Sequence, residues 1–112
     1  MPLADLSERE RAVVLECLRC VATGKVIKHD WEFQTLFGIE VAELISVLQA
    51  WPEVDESDDV ASCAVHNSML NLLWYPHGYH TRWDSVMPIP LNEIENVFRK
   101  WKGKPTGTAS IT

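Results

Sequence analysis

The chain has 112 residues, 46% of them hydrophobic and five of them tryptophans, so one domain can bury a core without disulfide bonds or metals. Nucleic-acid-binding proteins normally neutralise phosphates with a basic face, and in this chain, whose net charge is −6, none is evident except near the carboxyl end. No apolar stretch approaches the roughly 18 residues that span a bilayer. The start of the chain also lacks the pattern of a secretory signal, which predicts a cytosolic protein.

The cysteines indicate a reducing compartment. The chain has three, Cys17, Cys20 and Cys63, and an odd number cannot pair completely within one molecule. Secreted domains of this size generally use an even number of cysteines in disulfide bonds. We therefore expect free thiols in the cytosol.

The first predicted helix covers residues 8–23. Ser7 and Glu10 have the spacing of a capping box, in which each side chain accepts a hydrogen bond from the other residue's backbone N–H. An apolar stripe follows at helical spacing. Gly24 ends the helix, because glycine adopts the left-handed cap without a steric penalty.

The next part of the chain predicts a short extended segment and then two helices. Val26 and Ile27 favour β geometry over residues 25–28. A brief helix at 31–37 and a longer one from Val41 to about Ala50 follow, and Gly38 separates them.

These two helices resemble a helix-turn-helix with a Gly-Ile-Glu turn. A recognition helix needs donors for phosphates and base edges. The second helix would instead expose Glu40, Glu43, Ser46 and Gln49, with no arginine or lysine. Because carboxylates repel phosphates, the sequence favours a structural corner over a surface that reads DNA.

An acidic loop precedes the helix that we predict to be the most buried. Residues 53–59 carry five carboxylates in seven positions, which is typical of a solvated loop. The helix at 59–74 has no lysine, arginine, aspartate or glutamate after Asp59, and it mixes small and large apolar side chains. We therefore place it at the centre of the fold.

The last third of the chain predicts a turn at 75–78 and an irregular or single-turn segment at 79–85. The apolar residues 86–89 could pair as a strand with 25–28. The final helix covers 91–102, with its apolar residues on one side.

The predicted fold is mostly α. It is a compact bundle of about five helices with the helix-turn-helix-like corner, to which the pairing of 25–28 with 86–89 could add two short strands. We predict one domain over residues 1–103, a disordered polar tail over 104–112, and no internal repeat.

Two surfaces are candidates for binding a protein partner. The acidic loop suits a basic partner, because complementary charge speeds association and selects against wrong partners; a merely solvated loop is the alternative. The aromatic corner after the central helix is the second candidate, and its alternative is packing over the end of that helix. The candidate residues are Glu53, Asp55, Glu56, Asp58 and Asp59 in the loop, and Tyr75, His77, Tyr79, His80 and Trp83 in the corner.

A zinc site is a further hypothesis. Two pairs of residues have the i, i+3 spacing of ligands on facing helices, namely Cys17 with Cys20 and Cys63 with His66. Both pairs lie within predicted helices, whereas structural zinc sites usually place at least one pair on a turn. We therefore expect core cysteines here and predict no metal and no cofactor.

Polar and aromatic residues of the core give two more expectations. His66, Asn67 and Ser68 interrupt an apolar helix, so they should bond neighbouring loop backbone. The tryptophans at helix ends or on apolar faces, each expected to seal the core, are Trp31, Trp51, Trp74 and Trp101.

These features predict a small acidic protein-binding domain and not an enzyme, because His66, His77 and His80 have no evident partner that would orient them for catalysis. An inhibitor or immunity protein of a basic toxin or nuclease fits this description. We expect a monomer or homodimer that binds neither nucleic acid nor membranes.

Two other functions stay open. One is a helix-turn-helix transcriptional regulator in which a basic C-terminal segment contacts phosphates; its residues are Arg99, Lys100, Lys102 and Lys104. The other is a protein that binds structural zinc or a small ligand.

Overall fold

Residues 3–102 are described by the computed structural model, and they form five α-helices and two short 3₁₀ segments. The 3₁₀ segments are Leu3–Asp5 and His80–Ser85. The α-helices are α1 (Glu8–Ala22), α2 (Glu32–Phe37), α3 (Val41–Ala50), α4 (Asp59–Trp74) and α5 (Leu91–Lys102). The predicted mostly α bundle is confirmed, and no helix end is displaced by more than one residue.

Side-chain caps fix where α1 and α4 begin. The Ser7 hydroxyl accepts the Glu10 N–H at 3.1 Å, and the Glu10 carboxylate accepts the Ser7 N–H at 2.8 Å, which is the predicted capping box. Asp58 caps α4 by accepting the Ala61 N–H at 3.1 Å. Gly38 ends α2 with a φ of 71°, a conformation that other residues adopt only at a steric cost.

The predicted central helix is confirmed. α4 packs against α1, α2, α3 and α5. Its side chains Ala64, Val65, Met69 and Leu72 are fully buried. Each Å² of apolar surface removed from water in this way contributes about 25 cal/mol.

The predicted strand pairing is wrong, because residues 3–102 contain no strand. Residues 25–28 and 86–89 instead supply side chains to the helical core, and these are Val26, Ile27, Met87 and Ile89. The backbone after the second 3₁₀ segment bonds locally, with the Met87 N–H donating to the Trp83 carbonyl at 3.1 Å. The β propensity of these residues therefore reflects burial and not strand formation.

Some predictions fall partly on the ends of the chain. The domain boundary at 103, the tail at 104–112 and Lys104 lie outside the described residues. The other members of the basic segment, Arg99, Lys100 and Lys102, lie in α5. Within the part of the chain that the structure describes, no helix is long and apolar enough to cross a membrane.

The two halves of the bundle, residues 8–50 and 59–100, share part of their burial pattern, which is a structural likeness and leaves the prediction of no internal sequence repeat untested. Residues 33–50 and 83–100 have the same burial class at all 18 successive positions. Few side chains reveal this, because only four pairs between 33–51 and 83–101 are identical: Ile39 and Ile89, Glu43 and Glu93, Val47 and Val97, and Trp51 and Trp101. Corresponding residues of α3 and α5 are 50 positions apart in the sequence. Corresponding residues of α1 and α4 are 51 positions apart, as their N-caps Ser7 and Asp58 are.

The helix packing follows the same pattern. α1 and α4 pack against each other, α3 packs against α4, and α5 packs against α1. Exchanging α1 with α4 and α3 with α5 reproduces these contacts, which is a pseudo-twofold arrangement. The bundle therefore has two equivalent lines of contact, which we call the α3/α4 seam and the α1/α5 seam.

Candidate functional site

An open groove of about 480 Å³ lies along the α3/α4 seam. Its walls come from α3, from the loop that connects α3 to α4, and from the first turn of α4. Apolar lining residues include Val47, Ala50, Val54, Val60 and Ala61. Four carboxylates line the same groove: Glu43, Glu53, Asp55 and Asp58. We call this the acidic groove.

Local hydrogen bonds position three of these carboxylates. Glu43 Oε1 accepts the Glu40 N–H at 2.8 Å. The Asp58 carboxylate caps α4, as described above. Asp55 accepts the hydroxyl of Ser57 at 2.6 Å and its N–H at 3.0 Å, and these bonds lower the pKa of Asp55. Among residues 3–102, none of the four groove carboxylates is in an ion pair.

The structure divides the predicted acidic loop into groove residues and others. Glu53, Asp55 and Asp58 line the acidic groove. Glu56 instead accepts the Leu3 N–H at 2.6 Å and the Trp101 Nε1–H at 3.0 Å. Its carboxylate thus joins the start of the chain to the end of α5. Asp59 is the exposed first residue of α4 and does not line the groove.

The equivalent α1/α5 seam is closed by two ion pairs. Arg9 binds Glu93 through two hydrogen bonds, from Nε at 2.7 Å and from Nη2 at 2.9 Å. Lys100 Nζ lies 2.9 Å from both carboxylate oxygens of Glu10. The pKa of Glu93 is lowered by the hydrogen bond from Arg9 and by its positive charge.

All four partners in these ion pairs have counterparts that line the acidic groove. Glu93 corresponds to Glu43 and Lys100 to Ala50, at a spacing of 50 residues. On the other side of the seam, Arg9 corresponds to Val60 and Glu10 to Ala61, at the spacing of 51 set by the N-caps. The α3/α4 seam therefore keeps one glutamate and lacks both cations.

Two histidines of the aromatic corner bond the last turn of α4. The Nε2 atoms of His77 and His80 lie 2.9 and 2.8 Å from the carbonyl oxygens of Leu72 and Leu73. The Tyr79 N–H donates to His77 Nδ1 at 3.1 Å, so the hydrogen of neutral His77 is on Nε2. Burial lowers the pKa of His77, which favours this neutral form.

The corner does not join the acidic groove in one surface. Trp83 is buried and donates its Nε1–H to the Ile89 carbonyl at 2.6 Å, while the Tyr75 hydroxyl lies 3.5 Å from Glu32. The groove lies at the first turn of α4 and the corner at its end. A 16-residue helix is about 24 Å long, so the two candidate surfaces are separated by that distance.

The cysteines and His66 do not form a metal site. Among residues 3–102, no group of three or more histidine, cysteine, aspartate or glutamate side chains could hold a metal ion. Cys17 is buried, which raises its pKa far above the ordinary value, and burial raises the pKa of Cys20 to about 11. The His66 ring contacts the rings of Phe98 and Trp101, with centroids 5.3 and 6.4 Å apart.

The helix-turn-helix-like corner is tied to the central helix. Asn67 Nδ2 donates to the Phe37 carbonyl at 2.9 Å, and Asn71 Nδ2 donates to the Leu36 carbonyl at 3.3 Å. The expectation that the polar residues of α4 bond neighbouring backbone is therefore confirmed for Asn67. It is wrong for the Ser68 hydroxyl and for His66 Nδ1, which are both buried without a hydrogen-bond partner among the described residues.

The prediction that the tryptophans seal the core is correct for Trp101, which is 7% exposed, but wrong for two others. Trp31 is 82% exposed and Trp74 is 51% exposed. Trp74 contacts Phe98 edge-on at a centroid distance of 5.8 Å. Helix-end position alone does not predict burial, because Trp31 and Trp74 are largely exposed whereas Trp101 is buried and Trp51 is partly buried against the core.

Trp31 lies next to the start of α3. It lines a small hollow of about 190 Å³ together with Glu40 and Val41 at the start of α3. Glu40 is the residue whose N–H binds the groove residue Glu43. The hollow therefore lies within one helical turn of Glu43 along α3, although it shares no lining residue with the acidic groove.

The sequence matches no protein-family model, and comparisons with curated proteins and with solved structures find no significant match.

Proposed function

We propose that this chain is an acidic protein-binding domain of the cytosol that binds a basic protein at the acidic groove and acts without catalysis. The acidic groove supports this proposal most directly. It combines four carboxylates with an apolar floor, and no cation within residues 3–102 neutralises it. A protein surface with lysine or arginine side chains complements both properties.

The chemistry of the groove suits a protein partner better than an isolated cation. Lysine and arginine bury their aliphatic stems on apolar surface while the charged groups stay near carboxylates and water. The net charge of −6 would attract a basic protein before contact and accelerate its association. Exposed Trp31 adds the kind of aromatic anchor that is enriched among residues that dominate binding energies.

The finer form of the proposal is an inhibitor or immunity protein of a basic toxin or nuclease. Such a partner must carry a cationic surface to bind nucleic acid, and the acidic groove would compete for that surface. A DNA-binding function gains no support from α3, whose residues Val41–Ala50 include neither lysine nor arginine.

Differential capture from native cell extract tests the proposal. The wild-type chain is compared with a groove variant, Glu53→Lys with Asp55→Lys, and with a control, Asp5→Lys with Asp84→Lys. Both variants change the net charge equally, and all four positions are exposed. Glu56 and Asp58 are left intact because Glu56 joins Leu3 to Trp101 and Asp58 caps α4, whereas Asp55 bonds only Ser57 within its own loop.

We expect a basic protein to be retained by the wild-type chain and the control and lost from the groove variant. Added salt should release it, because screening weakens the attraction between the two charged surfaces. Equal retention by all three chains would contradict the assignment of the acidic groove. Recovery of nucleic acid in place of a protein would favour the regulator.

A further inference from the structure

Because of the pseudo-twofold arrangement, the closed α1/α5 seam can be compared with the α3/α4 seam to show which groups the acidic groove lacks. In each seam, the last helix of one half packs against the first helix of the other half: α3 packs against α4, and α5 packs against α1. In the α1/α5 seam a guanidinium, that of Arg9, binds Glu93 with both of its hydrogen bonds under 3 Å. In the α3/α4 seam, the counterpart of Arg9 is Val60, so the counterpart carboxylate, Glu43, has no guanidinium.

The first turns of α3 and α5 explain why Glu43 is still available. Glu43 uses Oε1 to accept the Glu40 N–H, and Oε2 makes no hydrogen bond with residues 3–102. The counterpart of Glu40 is Pro90, which has no N–H, so both oxygens of Glu93 are left for Arg9. Glu43 is thus held in place by its own helix and keeps one oxygen for another donor.

We infer that the groove is completed by an arginine of the bound protein, whose guanidinium pairs with Glu43 as Arg9 pairs with Glu93. This inference rests on the proposed function and names the group that the acidic groove recognises. The partner segment replaces in trans the cation that the α3/α4 seam lacks in cis.

The lining of the groove favours arginine over lysine. Val47, Val60 and Ala61 provide an apolar surface for the stem of the side chain. A guanidinium sheds water more readily than an ammonium and offers several N–H donors in one plane. Glu53 and Asp55 lie on the same groove and can accept the remaining donors.

The test is an NMR titration of the full chain with capped peptides that carry two arginines separated by two leucines. Matched peptides carry lysine or uncharged citrulline in place of arginine. The variants are Glu43→Gln and its counterpart in the closed seam, Glu93→Gln. Glutamine keeps an acceptor for the Glu40 N–H, so Glu43→Gln removes the charge without removing the cap.

We expect the arginine peptide to shift the backbone signals of the acidic groove and to bind roughly threefold or more weakly to Glu43→Gln. Binding to Glu93→Gln should equal that of the wild-type chain. Val60→Arg, which supplies the guanidinium in cis, should abolish peptide binding, whereas Val60→Gln should retain it. The lysine peptide should bind more weakly than the arginine peptide.

The outcomes separate the inference from the proposed function. Equal arginine-peptide binding by the wild-type chain and Glu43→Gln would overturn the inference, and loss of capture by Glu53→Lys with Asp55→Lys would still support the proposed function. Equal binding of the arginine and citrulline peptides would overturn the inference because charge would not matter. Absence of peptide binding together with unchanged capture by the groove variant would overturn both.

Discussion

The α1/α5 seam and the α3/α4 seam correspond in their helix contacts, and α3 and α5 have the same burial pattern, yet within residues 3–102 only the α1/α5 seam is closed by ion pairs. Arg9 and Lys100 pair with glutamates across the closed seam, while Val60 and Ala50 leave the other one open. Both seams form, so the apolar pattern is sufficient to bring the helices together. This agrees with the small contribution that exposed ion pairs generally make to stability.

The comparison also separates two kinds of carboxylate within one loop. Glu56 holds the fold together by bonding Leu3 and Trp101, whereas Glu53 and Asp55 line the open groove. Acidity alone does not distinguish them. The difference lies in which side of the loop faces the bundle.

The largest expected effect on stability comes from Trp101, in the last turn of α5, compared with Trp51, the C-cap of α3. Trp101→Ala should lower the free energy of unfolding by about 3–5 kcal/mol, because a buried ring is replaced by a cavity. Trp51 is only partly buried, so Trp51→Ala should cost about 1–2 kcal/mol. Urea denaturation of both variants measures the difference. Equal losses would mean that the two rings contribute equally to the core despite their different burial.

The second effect concerns the two glutamates of the connecting loop. Glu56→Ala should cost about 1–3 kcal/mol, since it leaves the Leu3 N–H and the Trp101 Nε1–H without their carboxylate. Glu53→Ala should stay within about 0.5 kcal/mol of the wild-type chain. Thermal or urea unfolding compares them. A destabilised Glu53→Ala would show that the groove carboxylates also support the fold.

The third effect is a dependence of stability on pH. It comes from His77, which bonds the Leu72 carbonyl at the end of α4. Because burial lowers the pKa of His77 below 6.5, the unfolded chain takes up a proton before the folded chain does. The contribution of His77 is therefore fully present above pH 6.5 and is lost as the pH falls through the folded pKa.

Urea denaturation between about pH 8 and pH 5 measures this dependence. His77→Asn should flatten the fall in stability below pH 6.5, since asparagine does not titrate. A variant that loses stability with pH as steeply as the wild-type chain would refute the role assigned to His77.

The smallest effect is expected from opening the closed seam. Arg9→Val makes the α1/α5 seam resemble the α3/α4 seam, and the chain should keep its fold with only a slight loss of stability that vanishes at about 1 M salt. The arginine peptide should then also bind beside Glu93, which NMR would detect at that seam. No new binding there would show that the two seams are less alike than their burial pattern indicates.

The sequence predicted the helices well because their signals are local. Helix ends are marked by the capping box of Ser7 with Glu10 and by the glycines Gly24 and Gly38. Each of these signals acts through its own backbone or through a neighbour within a few residues. The strands were predicted incorrectly because β-branched residues favour any partly or fully buried surface. Only the packing shows that Val26 and Ile27 enter a helical core.

The candidate site was predictable only in part. The charge run pointed to Glu53, Asp55 and Asp58, which do line the groove, but also to Glu56, which bonds inward. Glu43 is remote from the run in sequence, and nothing local indicates that it faces the same groove. Its position depends on how α3 packs against α4.

Composition and local pattern thus determined the helical class, the bounds of the helices and the acidic character of the connecting loop. The tertiary structure decided that the four long helices pack as two corresponding pairs, and that one of the two seams between them is open. Both facts depend on pairs of residues far apart in the chain, such as Arg9 with Glu93, and on which partner is absent. A local signal fixes where a helix begins, but only packing fixes which carboxylate is left to bind something else.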